Sequence, residues 1–278
     1  MDMKAYTVDA FTSVPFGGNP AGVVIIDGEY PADREMLAVA AELGYSETAF
    51  IKPGDPIRIR YFTPTNEVDL CGHATVASVH ALRTWGYIEA GKPYLVRTKA
   101  GDINVDIDGS GTVWMDMAPP ETLGIVEDGD ELYGMFGIEK GGVELPCEIV
   151  SVGLADIMMP VESRETLNAM VPDLEAIKAY SISHDVVSIH AFVPGDGEIA
   201  AYARDFAPAC GINEEAATGT ANGSLTCYLY ERGMVRPGGI NLFIQGEAMG
   251  RPSEIRTIVI EKENGIGIRV GGKAVFRP

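Results

Sequence analysis

The sequence predicts an α+β protein made of two related, strand-rich halves, each holding one prominent helix inside a curved sheet. Three observations carry this. The chain states one pattern twice: SETAFI from Ser46, YFTP at 61–64 and CGHATVASVHAL at 71–82, then SIHAFV from Ser188, DFAP at 205–208 and TGTANGSLTCYL at 218–229. Ser46 to Phe62 is 16 residues and Ser188 to Phe206 is 18, with Gly72 and Gly219 lying 10 and 13 residues past the Phe. A repeat spacing near 145 residues points to duplicated domains, not to a short-period solenoid. Finally, Ala74, Ala77, Ala221 and Gly223 are small enough for a buried helix to approach its sheet closely.

The elements follow in order. Residues 4–12 alternate into a strand, punctuated by Phe16-Gly17-Gly18-Asn19-Pro20, and Ala21–Ile26 reads as the next. That Gly cluster leads into a strand, so it is no dinucleotide fingerprint. Met36, Leu37, Ala40 and Leu43 set a helix over 34–43, stopped by Gly44. Residues 46–51 and 57–62 alternate as a hairpin across Pro53-Gly54-Asp55-Pro56, and a helix over 74–85 ends at Gly86. Strands are expected at 94–98, 102–108 and 112–117.

Ala118-Pro119-Pro120 is the predicted boundary, giving halves of 1–118 and 119–265, with 266–278 a candidate last strand of the first. The second half starts with helical turns near 130–136 and strands at 147–153 and 155–161. One helix over 164–179 tolerates Pro172 only near an end or break. The second pass of the repeat fills 187–231, and strands at 240–245, 255–261, 266–270 and 274–277 follow.

Composition removes several function classes. Of 278 residues 46% are hydrophobic, enough for substantial cores, and no apolar run reaches membrane-span length. A formal charge of −19 repels nucleic acid and anionic membranes, so neither is expected as a partner. The N-terminus shows no export signal, and Cys71, Cys147, Cys210 and Cys227 have neither CxxC nor disulfide-framework spacing. Both suggest a reducing cytoplasm. No metal is expected: HExxH is missing, and His73 and His80 would sit roughly 10 Å apart along a helix.

Chemistry concentrates at the repeated turns. Helix starts at Gly72-His73-Ala74 and Gly219-Thr220-Ala221 present free N–H groups suited to a carboxylate, although any helix start does so. Two related turns favour binding, across a cleft between the halves. Glu47 interrupts an apolar strand; a solvent-facing Glu is the ordinary explanation, and a cleft-facing one is a candidate base. Ile189 aligns with it in the second half. His73 is either a structural histidine or a proton-transfer group. Glu214 and Glu215 precede the second turn, where helix-dipole stabilisation alone would also place acids.

The stretches TVDAFTSVPFGGNPAGVV, LGYSETAFI, IRYFTPTNEVDLCGHATVAS, ARDFAPACGINEEAATGTANGSL and QGEAMGRPSEI together resemble the phenazine-biosynthesis PhzF-like family, in order and over nearly the whole chain. The resemblance implies a diaminopimelate epimerase-like fold: two pseudo-symmetric domains, each a mostly antiparallel sheet around a central helix. It also implies a homodimer that needs neither metal nor cofactor. By position, Glu47 matches the family's catalytic carboxylate, which moves a proton between substrate carbons, and His73 its assisting histidine. Gly72, Gly219 and Thr220 match residues that hold the substrate carboxylate, and Glu215 matches a catalytic-site Asp.

The chain departs from the family pattern at that last block. Glu-Asp-Pro-Ala-Thr-Gly becomes Glu214-Glu215-Ala216-Ala217-Thr218-Gly219, and the usual Ser becomes Thr220. Glu reaches roughly 1.5 Å farther than Asp, and losing the proline frees residue 215 from an extended backbone. A two-thiol racemase mechanism would need cysteines at Cys71 and at the place of Thr218, so it is rejected, leaving Cys71 as a small buried hydrophobe. The expected activity is a cofactor-independent isomerisation of a small carboxylic acid. The alternative is a metabolite-binding protein without turnover.

Overall fold

Near-continuous burial along the second and third strands, as in a sheet covered on both faces, sets the architecture. The computed structural model describes residues 3–278. β1 (Ala5–Ala10) pairs antiparallel with β2 (Asn19–Ile25), in register Val8 to Ala21. The chain crosses over as α1 (Asp33–Leu43) and returns as β3 (Thr48–Lys52), parallel to β2. β4 (Ile57–Phe62) completes an antiparallel hairpin, and the short β5 (Glu67–Val68) pairs back onto it. After α2 (Gly72–Thr84), β6 (Pro93–Thr98) joins β4 in parallel. β7 (Gly101–Ile107) and β8 (Val113–Asp116) then extend the sheet antiparallel.

The two helices of this unit differ as their patterns require. α1 is amphipathic: Met36 and Ala40 pack with Val24, Ile26, Phe50 and Phe62 on one sheet face. Gly44 closes it in the left-handed region, at φ 67°, with its N–H on the Ala40 carbonyl. α2 buries nearly every residue from His73 to Leu82, which its Ala and Val content permits. The unit comprises the chain through Asp116 together with Gly271–Pro278. Its closing strand, Ala274–Phe276, pairs with β1, and Arg277 clasps the fully buried Asp9 from Nη2 at 2.7 Å and Nε at 2.9 Å.

The second unit, Met117–Val270, repeats the same connections. β9 (Glu121–Ile125) pairs antiparallel with β10 (Glu148–Ser151) as the closing strand does with β1. α3 (Gly129–Gly134) lies between them in sequence. β10 and β11 (Ala155–Pro160) are antiparallel, and β12 (Ser188–Pro194) returns parallel to β11 after α4 (Arg164–Ala169) and α5 (Leu174–Ser183). β13 (Ile199–Ala207) pairs with β12, and β14 (Ile212–Glu215) folds back on β13. α6 (Gly219–Glu231) follows. β15 (Ile240–Gln245) is parallel to β13 and β16 (Ser253–Lys262) antiparallel to β15, with β17 (Gly265–Gly272) and β18, the closing strand Ala274–Phe276, completing the chain. Each unit is therefore a mostly antiparallel sheet with two parallel joints and a central helix. That is the predicted fold class.

Two local expectations change. The single helix over 164–179 is two helices: Met170 turns extended at ψ 133°, Pro172 falls in the break, and Asp173 caps α5 by accepting from Ala176 N–H. Pro172 lacks the N–H that a continuous helix needs. The other concerns alignment of the repeat. Thr48 lies opposite Phe62, whereas Ile189 lies opposite Phe206. Counted from these Phe residues, the counterpart of Glu47 is Ser188, not Ile189. A shift of one residue exchanges strand faces, so Ile189 packs in the outer core with Ile177 and Tyr180.

Candidate active site

In the first unit the alternation of β3 decides where Glu47 goes. Phe50 faces α1, so Glu47, an odd number of places away, points to the α2 side. It is 7% exposed, which overturns the solvent-facing explanation. His73, in the first turn of α2, is 3% exposed, and its Nε2 lies 3.4 Å from Glu47 Oε2. Ser46 Oγ is also 3.4 Å from Nε2, and Cys71 Sγ lies 3.4 Å from Nδ1. Both ring nitrogens are thus engaged, and Cys71 is more than a buried hydrophobe: it touches the imidazole.

Tyr61 pins this corner. Thr75 Oγ1 donates to the Cys71 carbonyl at 2.7 Å, so the 2.6 Å contact with Tyr61 uses the phenol as donor. Burial pushes that phenol well above its ordinary value, keeping it a neutral donor. Cys71 occupies the N-cap position of α2 and makes no side-chain cap. A Cβ added to Gly72 would meet only Met115 Cε, at 3.8 Å. Packing within the unit therefore leaves room for a side chain at this helix start. Gly72→Ala should fold with an unchanged thermal midpoint; if this helix start holds a carboxylate, the variant should lose affinity for a substrate acid by about 10-fold or more, measured by calorimetric titration.

Among the described residues Glu47, Cys71 and His73 form the one group of three potential donors whose ligand atoms all lie within 4.8 Å of one another. Carboxylate, thiolate and imidazole suit zinc chemically; the same proximity suits proton transfer between Glu47 and His73.

In the second unit, Glu215 ends β14 and is half-buried. Asp205 lies opposite Glu215 as Tyr61 lies opposite Val68, so Glu215 has an apolar counterpart in the first unit. Thr218 holds the N-cap position of α6, and its hydroxyl does not cap the helix. It contacts Glu215 Oε2 at 2.7 Å and Asp205 Oδ2 at 2.9 Å instead. Gln245 fixes this stretch by donating to the Glu215 carbonyl at 2.7 Å and accepting from Thr218 N–H at 3.1 Å. Sheet pairing and Gln245 thereby supply the restraint that the missing proline would give. Gly219 is buried and Thr220 half-buried at the start of α6.

Glu214 is turned to a structural task. Arg204 grips it with Nε at 2.8 Å and Nη2 at 2.9 Å, while Nη1 donates to the Leu167 and Met170 carbonyls at the end of α4. Buried Ser188, His190, Asp205 and Asp156 behind Glu215 went unrecognised in the sequence. The signal available was parity: Ser188 and His190 share a strand face, which the register turns towards α6.

A family model described as phenazine biosynthesis-like protein matches residues 8–277. The uncharacterized isomerase YfhB of Bacillus subtilis is 35% identical over 282 residues, covering 96% of this chain and 94% of that protein. The uncharacterized isomerase YddE of Escherichia coli is 34% identical over 307 residues, covering 99% and 97%. A Bacillus anthracis phenazine biosynthesis protein of the PhzF family superposes with a TM-score of 0.91 at 28% identity, over 100% and 98% of the two chains. A hydroxyproline epimerase from Agrobacterium vitis, at 13% identity and a TM-score of 0.66 over 99% and 91%, shares the fold.

Proposed function

This chain belongs to the phenazine biosynthesis-like family, and from that premise we propose that it is an isomerase moving a proton within a small carboxylic acid. The observation that supports this best is the buried Glu47–His73 pair, 3.4 Å apart at the uncapped start of a buried helix. Curated relatives named as isomerases support the reaction class.

In this reading the helix starts at Gly72 and at Gly219-Thr220 each offer backbone N–H groups to a substrate carboxylate. Glu47 takes a proton from a carbon next to an unsaturated or carbonyl-bearing carbon, leaving the electron pair delocalised. It returns the proton to another carbon of the same molecule, so the double bond shifts and nothing is oxidised or reduced. His73 balances the charge on Glu47 between the two transfers, with Ser46 and Cys71 orienting its ring. Glu215 serves charge or proton transfer from the second unit. One thiol at Cys71, with Thr218 at the corresponding place, does not provide the two cysteines of a thiol racemase.

The test is incorporation of deuterium from heavy water into a panel of unsaturated and hydroxy acids, read by NMR. Exchange at carbon supports the isomerase; saturable binding of the same acids with no exchange would make this a metabolite-binding protein. Because no cofactor enters the mechanism, prior chelation should leave exchange rates unchanged. Added zinc should inhibit by occupying Glu47, Cys71 and His73. A homodimer in the cytoplasm is part of the same proposal, and sedimentation equilibrium reads the assembly.

A further inference from the structure

Four side chains no more than 1% exposed stand behind Glu215: Asp156, Ser188, His190 and Asp205. They form a chain. Ser188 Oγ lies 2.9 Å from Asp156 Oδ1 and 2.7 Å from Asp205 Oδ1, and Thr218 Oγ1 links Asp205 Oδ2 to Glu215 Oε2. His190 Nδ1 adds a donor to Asp205 Oδ1 at 2.9 Å. Its Nε2 is buried without a partner, as a lone pair can be at lower cost than an N–H. Two further neighbours donate: Ser224 Oγ reaches Asp156 Oδ2 at 3.4 Å and Gln245 Nε2 reaches Thr218 Oγ1 at 3.2 Å.

Hydrogen counting decides what this chain holds. Two hydroxyls, with one hydrogen each, serve four oxygen–oxygen contacts with three carboxyl groups. Two of those contacts need a hydrogen from a carboxyl. Asp205, in the middle, is the shared acceptor of Ser188, Thr218 and His190, so the two hydrogens belong to the ends.

We infer that Asp156 and Glu215 are held as neutral carboxylic acids on either side of Asp205, making Glu215 a proton donor and Asp205, Ser188 and Thr218 its positioning residues. This deepens the proposed isomerase and rests on Glu215 taking part in it: a protonated Glu215 can supply a proton to a bound acid. Among the described residues, no Lys or Arg makes an ion pair with Asp156 or Asp205, and the imidazole of His190 is the one basic group in contact, 2.9 Å from Asp205 Oδ1. Burial, then the Asp205 charge, raises the Asp156 carboxyl well above the ordinary carboxylate range.

The sign of the resulting pH dependence follows. With its value raised on folding, Asp156 keeps a proton that the unfolded chain releases above the ordinary carboxylate range. The parent therefore loses stability as pH rises from that range towards neutrality. Asp156→Asn retains the donor and has no proton to release, so it should melt no lower than the parent at neutral pH. Its advantage should shrink as pH falls. Glu215→Gln likewise mimics a neutral acid and should stay within about 3 °C of the parent, while Asp205→Asn should melt at least about 5 °C lower.

The second readout is infrared. At neutral pH the full-length parent should show the carbonyl stretch of protonated carboxyls, shifted in heavy water, and each end variant should remove part of it. No such band in the parent, or an Asp156→Asn variant as damaged as Asp205→Asn, overturns the inference. Neither readout needs turnover. An inactive protein that keeps the bands defeats only the isomerase proposal, and exchange without the bands defeats only this one.

Discussion

Glu47→Gln is expected to slow carbon-bound proton exchange by about 10²–10⁴-fold while leaving carboxylate binding intact. The amide matches the carboxylate in shape and cannot take up a proton near neutral pH. It can keep the same contact with His73 Nε2, 3.4 Å away in the parent, so the α2 start should remain in place. The residue is buried, so the amide also removes the desolvation cost of a charge there. Deuterium incorporation measures the first effect and calorimetric titration the second. Exchange within about threefold of the parent would remove Glu47 from the chemistry. Loss of binding together with exchange would instead make it a substrate-holding group.

The largest stability effect is expected at Arg204. Arg204→Met removes a guanidinium that is buried over the Phe206 ring, 5.0 Å from its centroid, and that neutralises Glu214. The Glu214 carboxylate and the carbonyls of Leu167 and Met170 then lose their donors in a site with little water. Breaking one side of such a pair costs about 3–5 kcal/mol, measurable by urea denaturation. Arg204→Met with Glu214→Leu should recover more than half of that loss, because the double change leaves no charge stranded. A single-variant cost below about 1 kcal/mol would mean that the pair is effectively solvated.

Legibility in the sequence varied with the range of the interaction. The doubled phrase, the small-residue helices and the strand alternation are local, and they predicted the α+β class and the repeated unit. The short strands β5 and β14 escaped because two to four residues carry too little periodicity to register. β9 was hidden by its place directly after Pro119-Pro120, where a boundary was the simpler expectation. Helix 164–179 was one element by hydrophobic pattern, and only backbone geometry around Pro172 showed the break.

The site divides in the same way. Residue types and turns singled out Glu47, His73, Gly72, Gly219, Thr220 and Glu215, and pattern alone left Glu47 undecided between solvent and interior. Register decided it, since a strand side chain's face depends on which residue it opposes. The same register exchanged Ile189 for Ser188 and assembled Asp156, His190 and Asp205 from three separate strands.

By itself, then, the sequence determined that this protein repeats one strand–turn–helix unit, with glycines at the helix starts the copies share and acids where they differ. Those are properties of neighbours along the chain. Only the tertiary structure decided that Glu47 meets His73, that Glu214 serves Arg204, and that hydroxyls link Glu215 to buried acids. Such contacts join residues far apart in sequence, and their energies depend on burial that no local pattern specifies.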